Sequence, residues 1–402
     1  MLALEVLFWL CVGLIAWTQL GYAAALAALA RVLPGAASAP RERIRRSPEG
    51  EAPKTSLPES SLPALSLIVA AHDEQDVIAA KVANAVALDY PRERLQVIVV
   101  CDGCGDETAT RARDAGADLV LELPRGGKIR AQDAAVERAS GEIVAFSDAN
   151  ALWEPEAARS LVDAFADPRV GYACGQVRFV QAVDEGGNQE GVYWRYELAV
   201  RALESRLSSI TAGNGAIYAT RRDSYIVVDP IMGHDLSLPF NTVKRGLRAV
   251  YVPQARASEK MVPSLGGEFS RKRRMMSHTW PIVLRGGMLS PRGYPPGYAL
   301  MILSHRLLRY GSAALHVVAL AANIVLVASG AGDGGAGRDL YIVTLALQLA
   351  LLLAASLAGV LPLRPLLIAR YYVLTTASLA AGFWDWLRHG TDATWTAAEG
   401  TR

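Results

Sequence analysis

The 402-residue sequence has few cysteines and little net charge. Its four cysteines, Cys11, Cys101, Cys104 and Cys174, are too few for the disulfide framework of a cysteine-rich secreted protein. The formal net charge of +2 gives no overall electrostatic reason to expect nucleic acid as a partner. No GxxxxGK[ST] segment is present, which argues against a P-loop nucleotide site. The composition therefore favours none of these three classes of protein.

Charge is also scarce, at 20% of residues, whereas hydrophobic residues make up 51% and are concentrated at the two ends of the chain. Leu2 to Ala30 carries one charge, Glu5, and is long enough to cross a bilayer. Because it lacks the basic start and the short apolar run of a signal peptide, we predict a retained transmembrane anchor over residues 1–33. Arginines follow this segment, and since positive charge marks the cytoplasmic side, we expect the N-terminus outside.

Residues 34–63 are rich in Pro, Ser, Arg and Glu, and they predict a flexible linker. Gly311 to Ser329 and Leu340 to Val360 predict two further spans joined by a short, nearly neutral loop. Leu366 to Trp384 is interrupted by polar residues, so it is either a third span or an interfacial helix, and the side of the C-terminus stays open. The C-terminal part therefore divides into an interfacial segment over 281–310, transmembrane helices over 311–388 and a tail over 389–402.

Residues 64–280 predict an α/β domain. Three short apolar runs without helical period are typical of buried parallel strands: "LSLIVAA" (65–71), "LQVIVVCDG" (95–103) and "GEIVAFSDA" (141–149). A helical pattern, Asp76 to Leu88, separates the first two runs, and another, Ile129 to Ala139, precedes the third. This alternation predicts βαβ units and a parallel sheet, in which ligands bind beyond the carboxyl ends of the strands.

Polar clusters follow each of these strands: His72-Asp73-Glu74, Asp102-Gly103 and Asp148-Ala149-Asn150. Acids that converge at one sheet edge suit a divalent cation with hard oxygen ligands, such as Mg²⁺ or Mn²⁺, and a metal there usually holds a phosphate. Gly126-Gly127-Lys128 precedes a helix and could approach a phosphate, although this pattern alone is weak. The competing interpretation is that each acid only caps the helix that follows.

The order of "SLIVAAHDEQDVI", "VIVVCDGCGDETA", "GGKIRAQDAA" and "FSDANA" resembles that of the family 2 glycosyltransferases, with their GT-A nucleotide-diphospho-sugar transferase fold. The resemblance covers about residues 64–310, is strongest to the membrane-anchored bacterial branch near the cellulose and hyaluronan synthases, and agrees with the flanking spans. It implies an inverting enzyme that moves a sugar from a nucleotide-sugar, with a UDP-sugar as the expected donor, to a lipid-linked or polysaccharide acceptor. It also implies an integral protein of the bacterial cytoplasmic membrane, in contact with membrane lipids, with a cytoplasmic catalytic domain and no nucleic-acid partner.

The resemblance assigns the first two strand ends to the nucleotide. Ala71, His72 and Glu74 stand in the nucleotide-binding segment, where Ala70 and His72 replace the usual proline and tyrosine. A histidine still stacks on uracil, but the identity of the base becomes less certain. Asp102 matches the acid that contacts the uracil.

The same resemblance assigns the phosphates. Gly103 keeps the backbone close to the nucleotide, and Lys128 approaches the phosphates. Asp148 and Asn150 match the D-x-D motif that holds the metal and the diphosphate, and their spacing places them on the same side of an extended chain. Because the amide of Asn150 brings no charge, metal affinity is expected to be lower than with two aspartates.

The acceptor side of the resemblance is carried by two further segments. Gly213, Asn214 and Gly215 correspond to a turn near the acceptor sugar. Asp235 corresponds to the general base at the start of a helix, and His234 stands where the family has an acid, which could alter the pKa of Asp235 in either direction. The competing interpretation is that Asp235 only caps the helix.

"EFSRKRRMMSHTW" resembles the Q/R-x-x-R-W segment of the synthases, with Arg271 and Arg274 matching and Met275 in place of the tryptophan. The arginines would neutralise the departing diphosphate, for which a guanidinium is well shaped. The missing tryptophan argues against processive synthesis. A basic patch that attracts anionic lipid is the alternative, and both roles are compatible.

The sequence also bears on a cysteine pair and on two alternative functions. The Cys101-x-x-Cys104 pair is best explained as two ordinary thiols, because no second pair completes a zinc set. A nucleotidyltransferase would need a Gly-rich loop at the first strand, which "VAAHDEQ" lacks. A catalytically impaired scaffold of a polysaccharide export or synthesis complex would account for Asn150, His234 and Met275, but not for the retained aspartates.

Overall fold

The structure is a computed structural model that describes residues 1–33, 61–180, 188–260, 265–331, 336–361 and 363–393. Nearly all of the predicted linker, residues 34–63, lies outside the described residues. The predicted tail is described as far as Ala393.

In the described part of the chain, eight strands form one mixed sheet at the centre of the α/β domain. The strands are β1 (Leu65–Ala71), β2 (Leu95–Asp102), β3 (Leu119–Leu123), β4 (Ile143–Asp148), β5 (Leu152–Trp153), β6 (Val170–Val180), β7 (Tyr218–Arg221) and β8 (Arg248–Lys260). Their order across the sheet is β3-β2-β1-β4-β7-β6-β8-β5. Strands β3, β2, β1 and β4 are parallel, and β7 runs antiparallel to β4 and β6. The predicted parallel sheet is therefore confirmed for these four strands, whereas the sheet as a whole is mixed.

Both faces of β1, β2 and β4 are buried, which explains their nearly continuous apolar sequence, whereas β3 at the edge of the sheet is only partly buried. On one face, Ile68 of β1 and Phe146 of β4 belong to the largest apolar cluster. On the other face, Leu67 and Val69 pack in two further clusters. Successive residues alternate between the faces, as an extended chain requires. Burial therefore fixes the register in which the strand ends meet.

Helices cover the sheet: α3 (Ile78–Val86), α4 (Thr108–Asp114), α5 (Lys128–Arg138), α6 (Ala157–Asp163), α7 (Asn188–Leu207), α8 (His234–Lys244) and α9 (Leu265–Leu284). The two predicted helices correspond to α3 and α5, with boundaries that differ by one or two residues at each end. Helix α3 ends at Val86 because the backbone tightens, with the N–H of Leu88 donating to the carbonyl of Ala85.

The apolar ends of the chain are also helical: α1 (Leu2–Ala16), α2 (Tyr22–Val32), α10 (Pro296–Met301), α11 (Leu308–Tyr310), α12 (Ser312–Ala328), α13 (Ala336–Leu357) and α14 (Arg364–His389). Short π-helical segments, Trp17–Gly21 and Ile302–Leu307, join α1 to α2 and α10 to α11. Among the described residues, Leu2–Val32, Gly337–Leu357 and Arg364–His389 are long and apolar enough to cross a membrane. Pro296–Tyr310 and Ser312–Ala328 meet the same test together, but the chain bends by 63° between them.

Helix α9 joins the α/β domain to the C-terminal helices by packing closely on α14. A Cβ atom on Gly382 would lie 2.5 Å from the Cβ of Met276, so the glycine permits the close approach of the two helices. Arg273 forms a bidentate ion pair with Asp385, with nitrogen–oxygen distances of 2.5 and 2.6 Å. The predicted interfacial segment, 281–310, thus begins inside the last turn of α9.

Candidate active site

The sheet register brings the three predicted polar clusters to one edge. Ala71 pairs with Cys101 on β2, and Ala70 pairs with Asp148 on β4, so all three strands end at the same level. The extended conformation predicted through Asn150 was wrong, because β4 ends at Asp148 and the next two residues form a turn. The N–H of Ala151 donates to the carbonyl of Asp148 across this turn.

A buried lysine supports this turn from behind. Lys81 on α3 is fully buried, and its Nζ donates to the carbonyl of Ala151 at 2.6 Å. Burial lowers its pKa to about 7, and the charge of Asp148 opposes that change. The lysine was not identified from the sequence, because one lysine in an Ala-rich helix looks like a solvent-exposed residue.

Asp102 organises the loop that precedes α5. Its carboxylate is buried and accepts hydrogen bonds from the backbone N–H groups of Gly126, at 2.6 Å, and Gly127, at 3.0 Å. Gly103 adopts a φ of +63°, and a Cβ atom there would lie 2.9 Å from the backbone nitrogen of Arg125. The loops after β2 and β3 are thus held together, and the contact of Asp102 with a base stays a prediction.

The segment after β1 lies beside Asp102. The Nδ1 atom of His72 is 2.8 Å from the carbonyl oxygen of Asp102. The N–H of Glu74 donates to the hydroxyl of Thr108 at 2.8 Å. Ala71 is fully buried. The residues predicted to bind the nucleotide therefore lie together at one corner of the edge.

Lys128 and Asp148 form an ion pair at the mouth of the parallel strands. Although burial acts to lower the pKa of Lys128, the carboxylates of Asp148 and Asp235 raise it above its ordinary value. Gly215 faces this pair, and a Cβ atom there would lie 3.4 Å from Nζ of Lys128 and 3.8 Å from Oδ2 of Asp148. The glycine therefore keeps space open beside a carboxylate and a cation.

The donor chemistry at this position fits a hard divalent cation. Asp148 offers a carboxylate, and Asn150, in the turn that follows, offers an amide oxygen. Mg²⁺ and Mn²⁺ prefer oxygen ligands of this kind. The space that Gly215 leaves beside Asp148 agrees with such an ion.

Asp235 lies in the first turn of α8 and faces the same space. Gly233 is the N-cap residue and no side chain caps the helix, so the interpretation of Asp235 as a cap is wrong. The N–H of Gly213 donates to the carbonyl of Asp235 at 2.7 Å, which ties the predicted acceptor turn to α8. Burial raises the pKa of the Asp235 carboxyl, Lys128 opposes this rise and Asp148 adds to it. A carboxylate with a raised pKa is suited to accept a proton.

The ring of His234 contacts two tyrosine hydroxyls. It is buried, and its Nδ1 lies 2.8 Å from the hydroxyl of Tyr218, while its Nε2 lies 3.3 Å from that of Tyr225. Burial, with the charge of Lys128, lowers its pKa to about 3. The ring is therefore neutral near pH 7, and it brings no charge to shift the pKa of Asp235.

A cavity of about 560 Å³ extends from the end of β4 to the C-terminal helices, and it is lined by Lys128, Asp148, Gly215, His234 and Asp235. The residues after β1 and β2 that were predicted to bind the nucleotide do not line it. Helix α9 presents to it a set of residues at helical spacing, namely Lys272, Met275, Met276 and Thr279. Arg274 is exposed and does not line the cavity, because the helical register turns it to another face. The side chain of Arg271 lies outside the described residues. The sequence motif thus predicted that Arg274 faces the diphosphate, whereas α9 places Lys272 at the cavity.

The wall opposite the strand ends is basic and aromatic. We call Lys272, Arg306, Arg309, Tyr310 and Tyr371 the helical wall. Lys272 donates to the hydroxyl of Tyr371 at 2.7 Å, and Nε of Arg306 donates to that of Thr211 at 2.9 Å. The signal in the sequence was a pair of arginines inside an apolar run, which predicted only an interfacial position.

An ion-pair cluster fixes this wall to the α/β domain. Arg309 pairs with Glu197 of α7, and Nε2 of His305 lies 3.4 Å from the same carboxylate. Nδ1 of His305 lies 2.7 Å from Glu204, which also accepts a hydrogen bond from Tyr22 of α2 at 2.7 Å. Helices from both ends of the chain therefore meet α7 in one buried network.

The family described as "Glycosyltransferase like family 2" matches residues 63–277, more than half of the chain. An "N-acetylglucosaminyltransferase" of Rhizobium sp. (strain N33) is 26% identical over 229 residues, which are 52% of this chain and 51% of that protein. A "Poly-beta-1,6-N-acetyl-D-glucosamine synthase" of Staphylococcus aureus (strain MSSA476) is 20% identical over 231 residues, 55% of this chain and 56% of that protein. The chain thus spans about half the length of the relatives it matches.

A solved structure shares the fold over nearly the whole chain. It is a mannosyltransferase of Pyrobaculum calidifontis in complex with GDP-Man and Mn²⁺, with a TM-score of 0.66 and 21% sequence identity. The similarity covers 95% of this chain and 99% of that one, and it confirms the predicted GT-A fold. The fold similarity therefore agrees with the family match over residues 63–277. The chain belongs to glycosyltransferase family 2.

Proposed function

We propose that the protein is an inverting glycosyltransferase that moves a sugar from a nucleotide-sugar, preferentially a UDP-sugar, to a lipid-linked or glycan acceptor at the cytoplasmic face of the membrane. One observation carries the proposal: Asp148, Lys128 and Asp235 line a single cavity that continues to the helical wall. A donor held at the strand ends and an acceptor entering along the helices would meet at Asp235.

Asp235 is the general base in this proposal. It removes the proton from an acceptor hydroxyl, whose oxygen attacks the anomeric carbon from the face opposite the leaving group. The bond from the anomeric carbon to the diphosphate breaks, and its electron pair leaves with the nucleoside diphosphate. Because a single displacement occurs, the configuration at the anomeric carbon is inverted.

Lys128 supports the leaving group from the strand-end side. Its ammonium group lies beside Asp148 and stays charged, so it is placed to stabilise negative charge that develops on the diphosphate. A divalent cation held by Asp148 and Asn150 would add charge stabilisation of the same kind. Asp102 contributes indirectly, because it orders the two glycines that precede Lys128.

The helical wall favours an acceptor that reaches the site from the membrane. Residues of α11 and α14 line the cavity, and the latter helix belongs to the segments long and apolar enough to cross a membrane. The cations of this wall suit an acceptor with an anionic group close to the reacting hydroxyl, such as a lipid-linked phosphate. The tyrosines suit a sugar ring, which stacks on aromatic faces.

The names of the two relatives make N-acetylglucosamine the first donor sugar to test. The full chain, purified in detergent or retained in membranes, should be incubated with radiolabelled UDP-N-acetylglucosamine, other UDP-sugars and GDP-mannose. Product size then distinguishes acceptors, since a single sugar on a lipid partitions into organic solvent and a polymer does not.

The first test variants are Asp235→Asn and Asp148→Ala, with the exposed Asp114→Asn of α4 as the matched control. We expect Asp235→Asn to lose about 10²–10⁴-fold in turnover, the usual contribution of a general base, while donor binding is retained. Equal turnover in wild type and in both site variants would refute the assigned roles of Asp235 and Asp148, and no turnover in any of the three would leave the scaffold. Transfer of a nucleoside monophosphate unit from an added nucleoside triphosphate to a sugar phosphate, with release of pyrophosphate, would instead indicate a nucleotidyltransferase.

A further inference from the structure

Three side chains with metal-binding atoms meet in the loops after β1 and β2. The ligand atoms of His72, Asp73 and Cys104 lie within 4.8 Å of one another, and each residue is partly buried. These loops follow adjacent parallel strands that are in register, so the sheet itself holds the two loops together. The cluster shares no residue with Asp148 and Asn150, which follow β4.

The hydrogen bond of His72 fixes its tautomer. Its Nδ1 lies 2.8 Å from the carbonyl oxygen of Asp102, and only a protonated nitrogen bonds to a carbonyl. In the neutral ring, Nε2 therefore carries a lone pair. A histidine that binds a metal usually donates its other N–H in this way, to a backbone carbonyl or a carboxylate.

Asp73 faces that lone pair. Its Oδ2 lies 3.4 Å from Nε2 of His72, while its Oδ1 accepts a hydrogen bond from the N–H of Gly105 at 2.8 Å. Two electron-pair donors at this distance are close enough to bind one cation together.

Cys104 adds a third type of ligand atom. Its Sγ lies 3.6 Å from the carbonyl of Ala71, which places it over the end of β1 beside His72. A metal binds the thiolate form of cysteine, so a cation at this position would displace the thiol proton.

We propose that His72, Asp73 and Cys104 form a binding site for a borderline-soft divalent cation, Zn²⁺ being the one of this class that cells supply most widely. Zn²⁺ binds imidazole nitrogen, carboxylate oxygen and thiolate sulfur, and three protein ligands leave a fourth position for water. Mg²⁺ and Mn²⁺ prefer the oxygen donors of Asp148 and Asn150 instead. The protein therefore holds two cation sites of different selectivity at one sheet edge.

The site also has a consequence that rests on the proposed function. His72 belongs to the segment predicted to bind the nucleotide base, and it is bonded to the backbone of Asp102. A cation on its Nε2 would hold the imidazole away from a base. We therefore expect Zn²⁺ to raise the KM for the donor without changing kcat, as a competitive inhibitor does.

The test uses Co²⁺ as a spectroscopic probe on the purified full chain, with a phosphine reductant that keeps the thiols reduced. We expect a sulfur-to-cobalt charge-transfer band in the near ultraviolet, removed by one equivalent of Zn²⁺. The band should vanish in Cys104→Ser, and His72→Ala should weaken Co²⁺ binding by at least about tenfold. Co²⁺ at Asp148 and Asn150 has no sulfur ligand there, so it cannot produce this band.

Two controls keep the outcome clear. Cys11→Ser, in α1, should retain the band, since that thiol is remote in the fold. Asp148→Asn should also retain it, so the measurement does not depend on transferase activity. Absence of the band in the folded wild-type protein, or its survival in Cys104→Ser, would overturn the proposed site. Normal Co²⁺ binding without competition against the donor would instead refute only the placement of the base.

Discussion

The strand-end loops and the helical wall meet at the cavity that Asp148 of β4 lines, and they are built differently. The loops after β1, β2 and β4 carry their polar groups within a few residues of a strand terminus, so sheet register alone brings them together. The helical wall draws on α9, α11 and α14, which are far apart in sequence.

The two sides also differ in how charge is stabilised. At the strand ends, backbone N–H groups hold Asp102, and one lysine is paired with Asp148. At the helical wall, buried ion pairs join α7 to the segment that contains His305 and Arg309. Substitutions at the strand ends should therefore disturb backbone hydrogen bonds. Substitutions at the helical wall should remove the partner of a buried charge.

The largest effect on stability is expected at the helical wall. Glu197→Gln removes the buried carboxylate that pairs with Arg309 and lies 3.4 Å from Nε2 of His305. Removing one partner of a buried ion pair typically costs about 3–5 kcal/mol, because the remaining charge stays desolvated. Urea unfolding of the detergent-solubilised protein, followed by circular dichroism, measures the loss in free energy of unfolding.

The matched control for this substitution is Glu137→Gln on α5, where the glutamate is exposed. It should change the free energy of unfolding by no more than about 0.5 kcal/mol. If Glu197→Gln changed the free energy of unfolding equally little, the ion pair would not stabilise the helical wall. The proposed difference between the helical wall and the strand ends would then be wrong.

A smaller effect is expected at the strand ends, from Gly103→Ala. The substitution places a methyl group 2.9 Å from the backbone of Arg125 in a left-handed conformation, φ +63°. Overpacking of this kind costs about 1–3 kcal/mol beyond the cost of the left-handed backbone. Donor binding should weaken with it, because the Arg125 backbone leads directly into the Gly126–Gly127 loop.

Gly116→Ala separates these two costs. Gly116 has a φ of +96°, and a Cβ atom there would meet nothing within 4 Å. Its substitution should show only the left-handed penalty, about 1–2 kcal/mol. Equal losses in the two variants, measured by thermal unfolding and by donor titration, would show that the approach of Gly103 to Arg125 has no energetic weight.

The smallest effect is expected in the pH dependence of kcat/KM, through the pKa of Asp235. The charge of Lys128 acts to lower the pKa of Asp235, against the larger effect of burial, which raises it. Lys128→Met removes that charge, so the pKa of Asp235 rises further. Since a general base acts only when ionised, the acid limb of the kcat/KM profile should move to higher pH.

Lys244→Met is the control for this shift, because Lys244 lies at the far end of the same helix, α8. The profile of this variant should match that of the wild type. An unchanged acid limb in Lys128→Met would mean that Asp235 does not control the acid side of the profile.

The strand-end side was largely predictable from the sequence. Continuous apolar runs such as Ile143–Phe146 identify buried parallel strands, and the chemistry follows each run directly. The prediction failed beyond the end of β4, where the chain turns at Ala149 and Asn150. Lys81 of α3 donates a hydrogen bond to the carbonyl of Ala151 at the end of this turn. Because Lys81 is distant in sequence, the residues of the turn themselves carry no signal of this contact.

The helical wall was predictable only as an interfacial region. Arg274 matched a family pattern, yet the register of α9 presents Lys272 to the cavity. The effect of His234 was open in sign, and in the structure burial and the charge of Lys128 lower its pKa to about 3, so the ring is neutral near pH 7. Both outcomes depend on which face of a helix is buried, and a motif does not encode that.

The sequence by itself determined the fold class, the order of the strand-end clusters and the family, because continuous apolar runs and short motifs are local properties of the chain. Only the tertiary structure decided that Asp102 binds two glycine amides, that Asp235 shares a cavity with the helical wall, and that His72, Asp73 and Cys104 meet. These contacts join residues from separate loops and helices, and their distances are set by packing across the sheet edge.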